Sequence, residues 1–154
     1  MEKCKILVVE DSNPMARIIK TTLNKINLKN IFHSVNGEEA LKFLQMNRID
    51  LIISDWNMPV MDGITFLKNL KSNAKTKNIK FMMVTSEGVK HNILEALKYK
   101  IDDYIVKPFT PETLVYKVTR VLNKVKKDRE EEKIDEDIFD NKSIEDVDQF
   151  LDNL

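Results

Sequence analysis

The chain has few of the residues that staple, break or loosen a fold: one cysteine, three glycines and four prolines among 154 residues. The lone cysteine, Cys4, excludes an internal disulfide and a cysteine-rich zinc site. Its place before an apolar run suits a small apolar residue near a strand start. No apolar run approaches the ~20 residues of a bilayer span, and no signal-peptide pattern opens the chain. Internal repeats and low-complexity segments are also absent. What is left is ordinary for a globular protein, 42% hydrophobic and 32% charged. That composition and length fit one domain with its own core plus an appendage. A cytoplasmic location without membrane insertion is expected.

Net charge is absent too, with 25 basic against 25 acidic residues, but the balance is uneven along the chain. Residues 126–154 hold 5 Lys/Arg against 12 Asp/Glu, leaving the first 125 with 20 against 13. A basic body can mark a nucleic-acid binder. Here the lysines are scattered, and neither a recognition-helix nor a zinc-finger pattern accompanies them, so no DNA partner is expected. The asymmetry says that body and tail are different objects, able to attract one another.

Two periods alternate through the body. Short β-type runs occupy Lys5–Glu10, Ile31–Val35, Leu51–Ser54, Phe81–Thr85 and Asp103–Val106. Between them, apolar residues recur at helical spacing: Met15, Ile18, Ile19, Leu23 and Ile26; Ala40, Leu41 and Leu44; Ile64, Leu67 and Leu70. A fourth set is Val89, Ile93, Ala96 and Leu97, and a fifth is Leu114, Val118, Val121, Leu122 and Val125. Strands alternating with helices predict an α/β fold, a parallel sheet covered on both faces. Right-handed crossovers put every strand C-terminus on one edge, where ligands of open α/β sheets bind. The residues arriving there are Glu10 and Asp11, Asp55, Thr85 and Lys107.

Three carboxylates converging on one edge repel one another, by roughly 4 kcal/mol per pair at about 4 Å and an effective dielectric near 20. Such a group takes up a proton or binds a cation. An all-oxygen site of few carboxylates suits Mg2+, which keeps several waters and accepts phosphate oxygens. A hydroxyl from Thr85 and an ammonium from Lys107 supply donors opposite. Together they could neutralise a phosphoryl group in transfer, with Asp55 as the accepting carboxylate. Each residue also has a plainer reading. Glu10-Asp11-Ser12 can cap the first helix, with Ser12 as N-cap and Pro14 in the first turn. Asp55 can be a turn residue, Thr85 a strand former and Lys107 a solvated lysine. The coincidence of all of them at strand ends favours the site.

The motifs "VVEDS", "SDWNMPVMDG", "VTSE" and "DDYIVKPF" stand at those strand ends, and with them residues 3–125 resemble the response-regulator receiver family, in particular its single-domain chemotaxis members. The resemblance implies a flavodoxin-like, doubly wound five-stranded sheet of order 2-1-3-4-5. It implies that Asp55 accepts phosphate from a sensor histidine kinase, with Mg2+ held by Glu10, Asp11, Asp55 and the Asn57 backbone carbonyl. Thr85 and Lys107 would hold the phosphoryl oxygens, Tyr104 would move inward with Thr85, and Lys107–Pro108 would be cis. Glu10 stands where many relatives have Asp. Trp56 is expected to be half exposed, and His33 and His91 to be surface or packing residues rather than metal ligands.

Aspartate-nucleophile hydrolases share the fold class but need a second acid two residues after the nucleophile, where this chain has Asn57. The protein is therefore expected to catalyse only its own phosphorylation and dephosphorylation. A phosphate sink and a phosphorylation-independent docking module are the alternatives to a signalling switch. No DNA-binding or enzymatic output segment follows, so output is expected through protein contact, with the flagellar motor switch as one candidate. The usual family face corresponds to Lys90, Tyr99, Tyr104 and Lys117. The domain reading is a receiver over 1–125, a charged linker or helix extension over 126–142 and a short amphipathic acidic helix over 143–154. In that last segment Ser143 and Asp146 resemble a capping box, and Ile144, Val147, Phe150, Leu151 and Leu154 share one face. It is similar to the acidic peptide of the motor switch that chemotaxis receivers bind, so this tail is expected to be an autoinhibitory ligand of its own receiver or of a neighbouring copy, with recruitment of a separate partner as the alternative.

Overall fold

A computed structural model describes residues 3–86 and 90–140. Five strands are present among them: β1 (Ile6–Val9), β2 (Ile31–Ser34), β3 (Leu51–Asp55), β4 (Lys80–Ser86) and β5 (Asp103–Lys107). They alternate with α1 (Asn13–Asn24), α2 (Gly37–Leu44), α3 (Gly63–Lys71), α4 (Lys90–Lys98) and α5 (Pro111–Asp140). The chain divides into two units between Asn123 and Lys124, within α5. The amphipathic helix expected over 143–154, Val89 and the side chains of Lys90 and His91 lie outside the described residues.

In the first unit all four strand pairings are parallel, in the order β2-β1-β3-β4-β5. The run Ile6–Val9 is buried at every position, as is Leu51–Asp55, because strands covered on both faces have no solvent side. Alternation then sorts the side chains. Leu7, Val9, Ile52, Phe81 and Met83 join a core with Ala40 and Leu44 of α2, Phe66, Leu67 and Leu70 of α3 and Ala96 of α4. Their strand neighbours Ile6, Val8 and Ile53 face the other way and are equally buried, which requires cover from α1 and α5. Ile19 and Leu23 of α1 and Leu114, Val118, Val121 and Leu122 of α5 are the buried residues that supply it.

Two helix faces differ from the apolar pattern. Ile18 is 52% exposed and Leu97 49% exposed, although both fall in the apolar sets read from the sequence. The buried stripe of α1 is Ala16, Ile19, Thr22 and Leu23. A small and a polar residue belong to it, and Ile18 sits about 100° round the helix from Ile19.

Each helix of known cap begins at the same edge of the sheet. The side chains of Ser12, Asn36 and Asp62 accept the main-chain N–H three residues on, at 3.3, 2.9 and 2.9 Å. Thr110 Oγ1 does the same for Thr113 at the start of α5, at 3.1 Å. These caps fix the β–α loops, and the loops carry the acids.

A carboxylate cluster at the ends of the strands

Glu10 and Asp11 follow β1 directly, Asp55 closes β3, and Lys107 closes β5. One ligand oxygen from each of Glu10, Asp11 and Asp55 lies within 4.8 Å of the others. Lys107 reaches into the group: its Nζ is 3.1 Å from Asp55 Oδ2 and 3.5 Å from Glu10 Oε2. Glu10 is 2% exposed and Asp55 7%, whereas Asp11 is open to solvent. Capping and site are not rivals here, because Ser12 caps α1 while the two acids before it face the cluster.

The local backbone explains how Asp55 is held. The Trp56 N–H donates to the Val84 carbonyl at 2.9 Å, carrying the pairing with β4 one residue past the strand. The Gly63 N–H then donates to the Trp56 carbonyl at 2.7 Å, closing the loop back onto its own start. A Cβ on Gly63 would lie 2.4 Å from the Asp55 carbonyl oxygen and 2.9 Å from Trp56 Cα, so only glycine permits this approach. Between these points Met61 N–H donates to the Pro59 carbonyl at 2.7 Å around Val60, whose φ is 70°. A β-branched residue at positive φ is strained, and the loop after Asp55 holds that strain. The same closure buries Trp56, which is 6% exposed and part of the core rather than half exposed.

Charge counting gives the cluster its chemistry. Three carboxylates face one ammonium, a deficit of two positive charges when all are ionised. In the absence of a cation, burial pushes the Glu10 carboxyl up from its ordinary 4.5 to about 7. The Asp55 charge adds to that rise, while the Ser12 N–H (3.2 Å from Oε1) and Lys107 oppose it. Hard oxygen ligands, a doubly negative balance and an exposed third acid fit a hydrated Mg2+.

The other expected site residues lie on β4, on β5 and in the loop after β3. Thr85 is buried in β4, paired with Val106 of β5. Its Oγ1 lies a long 3.5 Å from the Ser86 carbonyl, so the hydroxyl is little engaged. Asn57 is exposed in the loop after Asp55. Lys107–Pro108 is cis. Tyr104, three residues before Lys107, is half-buried against the core that contains Trp56. Lys117 of α5 holds it in place: Nζ lies 2.6 Å from the Tyr104 carbonyl, 3.0 Å from Asp103 Oδ1 and 4.9 Å from the Tyr104 ring centre. Arg120 Nη2 takes the second Asp103 oxygen at 3.0 Å. Neither this bracket nor the main-chain contact of His33 is legible in the sequence, although His33 is a surface residue as expected. The His33 ring does not join the carboxylates; its Nε2 lies 2.7 Å from the Glu10 carbonyl oxygen.

With fold and geometry in hand, the relatives decide the family. Residues 6–119 match the response regulator receiver domain. The chain is a response-regulator receiver. It is 42% identical to chemotaxis protein CheY1 of Helicobacter pylori over 119 residues, 77% of this chain and 96% of that protein. To chemotaxis protein CheY-3 of Vibrio cholerae it is 36% identical over 121 residues, 79% of this chain and 93% of that protein. The crystal structure of CheY4 from Vibrio cholerae superposes with a TM-score of 0.71 at 35% identity, covering 77% of this chain and 98% of that one. The receiver is thus of the CheY type, a component of two-component signalling, and phosphorylation by a histidine kinase is what receivers of this family undergo. Receivers act as signalling switches and bind Mg2+ at an acidic site, and Glu10, Asp11 and Asp55 form an acidic group that could hold a metal ion in this chain.

Proposed function

We propose that Asp55 is the phosphoacceptor of a chemotaxis-type switch. The observation that carries this is the convergence of Glu10, Asp11 and Lys107 on Asp55 at the end of β3. In the proposed step an Asp55 carboxylate oxygen bonds to the phosphorus of a phosphohistidine, and the P–N bond breaks with its electron pair returning to the imidazole. Glu10, Asp11, Asp55 and the Asn57 main-chain carbonyl would hold Mg2+. When bound, the ion supplies charge neutralisation to the carboxylates and the transferring phosphoryl oxygens. Lys107, already against Asp55, keeps an ammonium at the acceptor oxygen throughout and then pairs with the acyl phosphate. Thr85, with its hydroxyl little engaged, turns to a phosphoryl oxygen, and the space it leaves biases Tyr104 inward.

Output follows by protein contact, at the surface that includes Tyr99, Tyr104 and Lys117, with a flagellar motor switch protein as the partner class. The kinase supplies phosphate and the protein turns over nothing but its own phosphoryl group. No helix among the described residues is long and apolar enough to cross a membrane, and a cytoplasmic location is proposed. The acidic segment after residue 142 is proposed as an autoinhibitory competitor for the output partner, supported by the opposite charge of the first 125 residues. Removal of residues 126–154 should tighten binding of a motor-switch peptide; unchanged or weaker binding refutes it.

The phosphoacceptor is tested by intact-mass measurement after incubation with acetyl phosphate. Wild type should gain one phosphoryl group only with Mg2+ present, and Asp55→Asn should gain none. Uptake by Asp55→Asn to the wild-type extent overturns the reading.

A further inference from the structure

The Glu10–Asp11 peptide is the hinge of the acidic cluster, since one carboxylate hangs on each side of it. The β1–β2 ladder ends at Val9↔Ser34, so Glu10 is the first residue past the register. Its main chain is nevertheless gripped on both sides by consecutive residues of β2. The Glu10 N–H donates to the Ser34 carbonyl at 3.0 Å, and His33 Nε2 meets the Glu10 carbonyl at 2.7 Å. A carbonyl oxygen only accepts, so Nε2 carries the proton, and the neutral Nε2–H tautomer and the charged ring both serve. The distance is at the short end for N–H···O. Rotation of the Glu10–Asp11 peptide would break this bond and swing the Asp11 carboxylate, the exposed member of the three, away from Asp55.

We infer that His33 is a positioning residue of the metal site. It touches neither metal nor phosphate, and acts by fixing the main chain that aims Glu10 and Asp11. Groups that orient ligands change metal affinity by about 10–100-fold when removed. A single, partly solvated bond to one peptide should act at or below the low end of that scale. The inference rests on the Mg2+ reading of the cluster, and the experiment separates the two.

Mg2+ binding to the unphosphorylated full chain is measured by titration calorimetry in wild type, His33→Ala and His33→Gln. Wild type should bind, His33→Ala should bind about three- to tenfold more weakly, and His33→Gln, whose amide can donate, should recover part of the loss. Phosphate uptake from acetyl phosphate should need more Mg2+ in His33→Ala but reach the wild-type rate at saturation, a split that general destabilisation would not produce. The 15N shifts of the His33 ring above pH 8 should report the Nε2–H tautomer without any metal. Absence of Mg2+ binding in wild type overturns the metal reading and this inference with it. Wild-type affinity in His33→Ala, equal loss in the Gln and Ala variants, or an Nδ1–H tautomer overturns the role of His33 alone.

Discussion

Both edges of the sheet carry carboxylates and use them in opposite ways. At the edge where strands start, Asp50 Oδ2 accepts the Lys5 N–H and Asp102 Oδ2 accepts the Phe81 N–H, both at 2.8 Å. Each acid ties its own strand to the next, and lysines stand nearby. Lys71 is held below its ordinary pKa chiefly by burial, with Asp102 opposing the fall and Lys80 and Lys100 adding to it. At the edge where strands end, Glu10, Asp11 and Asp55 face each other, with Lys107 as their ammonium partner. An Asp before a strand and an Asp at the end of one look alike as letters. Satisfied main-chain donors mark the first as architecture, and accumulated like charge marks the second as a site.

The largest expected effect divides the two edges by chemistry. Asp55→Asn should lower phosphate uptake by at least about a hundredfold, since it removes the accepting oxygen's charge. Asp102→Ala should leave uptake within about twofold and instead lower stability by about 1–2 kcal/mol, the cost of an unpaired Phe81 N–H. Mass measurement of phosphorylation and denaturant unfolding on the same samples read both. Loss of uptake in Asp102→Ala at temperatures where it is folded would break the division.

Next in size is Gly63→Ala, which attacks the site through its backbone. The added methyl would stand 2.4 Å from the Asp55 carbonyl oxygen, so the loop must shift at a cost of roughly 2–4 kcal/mol. Uptake should also slow, because the Gly63–Trp56 hydrogen bond that closes the loop lengthens. Thermal unfolding and the initial rate of phosphorylation check the two parts. A stable variant with wild-type uptake would show that the acceptor does not need this closure.

How much of this was readable beforehand follows from what each residue contacts. The alternation of fully apolar runs with helical periods led to the parallel sheet, because burial leaves its mark on every residue of a strand. The strand-end acids and Lys107 were readable for the same reason: topology alone puts strand ends together. Trp56 was not, since its burial depends on a hydrogen bond from Gly63, seven residues on, and a flanking loop looks polar in sequence. The contact of His33 was hidden too, because its partner is a main-chain carbonyl just past the end of another strand, and any residue at position 10 would offer one. The α5 helix runs to Asp140 past the last periodic apolar residue, Val125. Lys, Glu and Arg favour helix without producing a stripe, so periodicity is silent there.

A smaller effect concerns charge within the cluster, and its sign is opposite to that of Asp102→Ala. Burial, with the Asp55 charge, pushes the Glu10 carboxyl from its ordinary 4.5 up to about 7, so folding takes up a proton between those values. Stability from this group therefore falls as pH rises from about 4.5 to about 7 and stays low above. Glu10→Gln should raise stability in chelator at pH 8 by roughly 1–3 kcal/mol, with the gain fading below pH 5. Saturating Mg2+ should shrink or reverse the difference, because wild type then gains binding free energy that the variant lacks. Unfolding curves at pH 5 and pH 8, with and without Mg2+, test this. A destabilised Glu10→Gln in chelator at pH 8 would place Glu10 with the architectural acids.

The smallest effect is spectroscopic and follows from the correction to Trp56. The indole is the only one in the chain, buried in the core that also holds Met83 and against which Tyr104 packs, and its residue adjoins Asp55. An exposed indole would report mostly on solvent. A buried one, with its main chain bonded to Val84 and Gly63, responds to small changes in the field and position of the Asp55 peptide. Mg2+ should therefore change Trp56 emission intensity modestly and saturably, with little shift in wavelength because the ring stays out of water. Asp11→Ala should move the midpoint to much higher Mg2+, since it removes the exposed carboxylate, while Asp50→Ala at the opposite edge should leave the midpoint unchanged. A titration that Asp50→Ala and Asp11→Ala weaken equally would mean that the two edges are coupled through the strands, and the contrast between them would no longer hold.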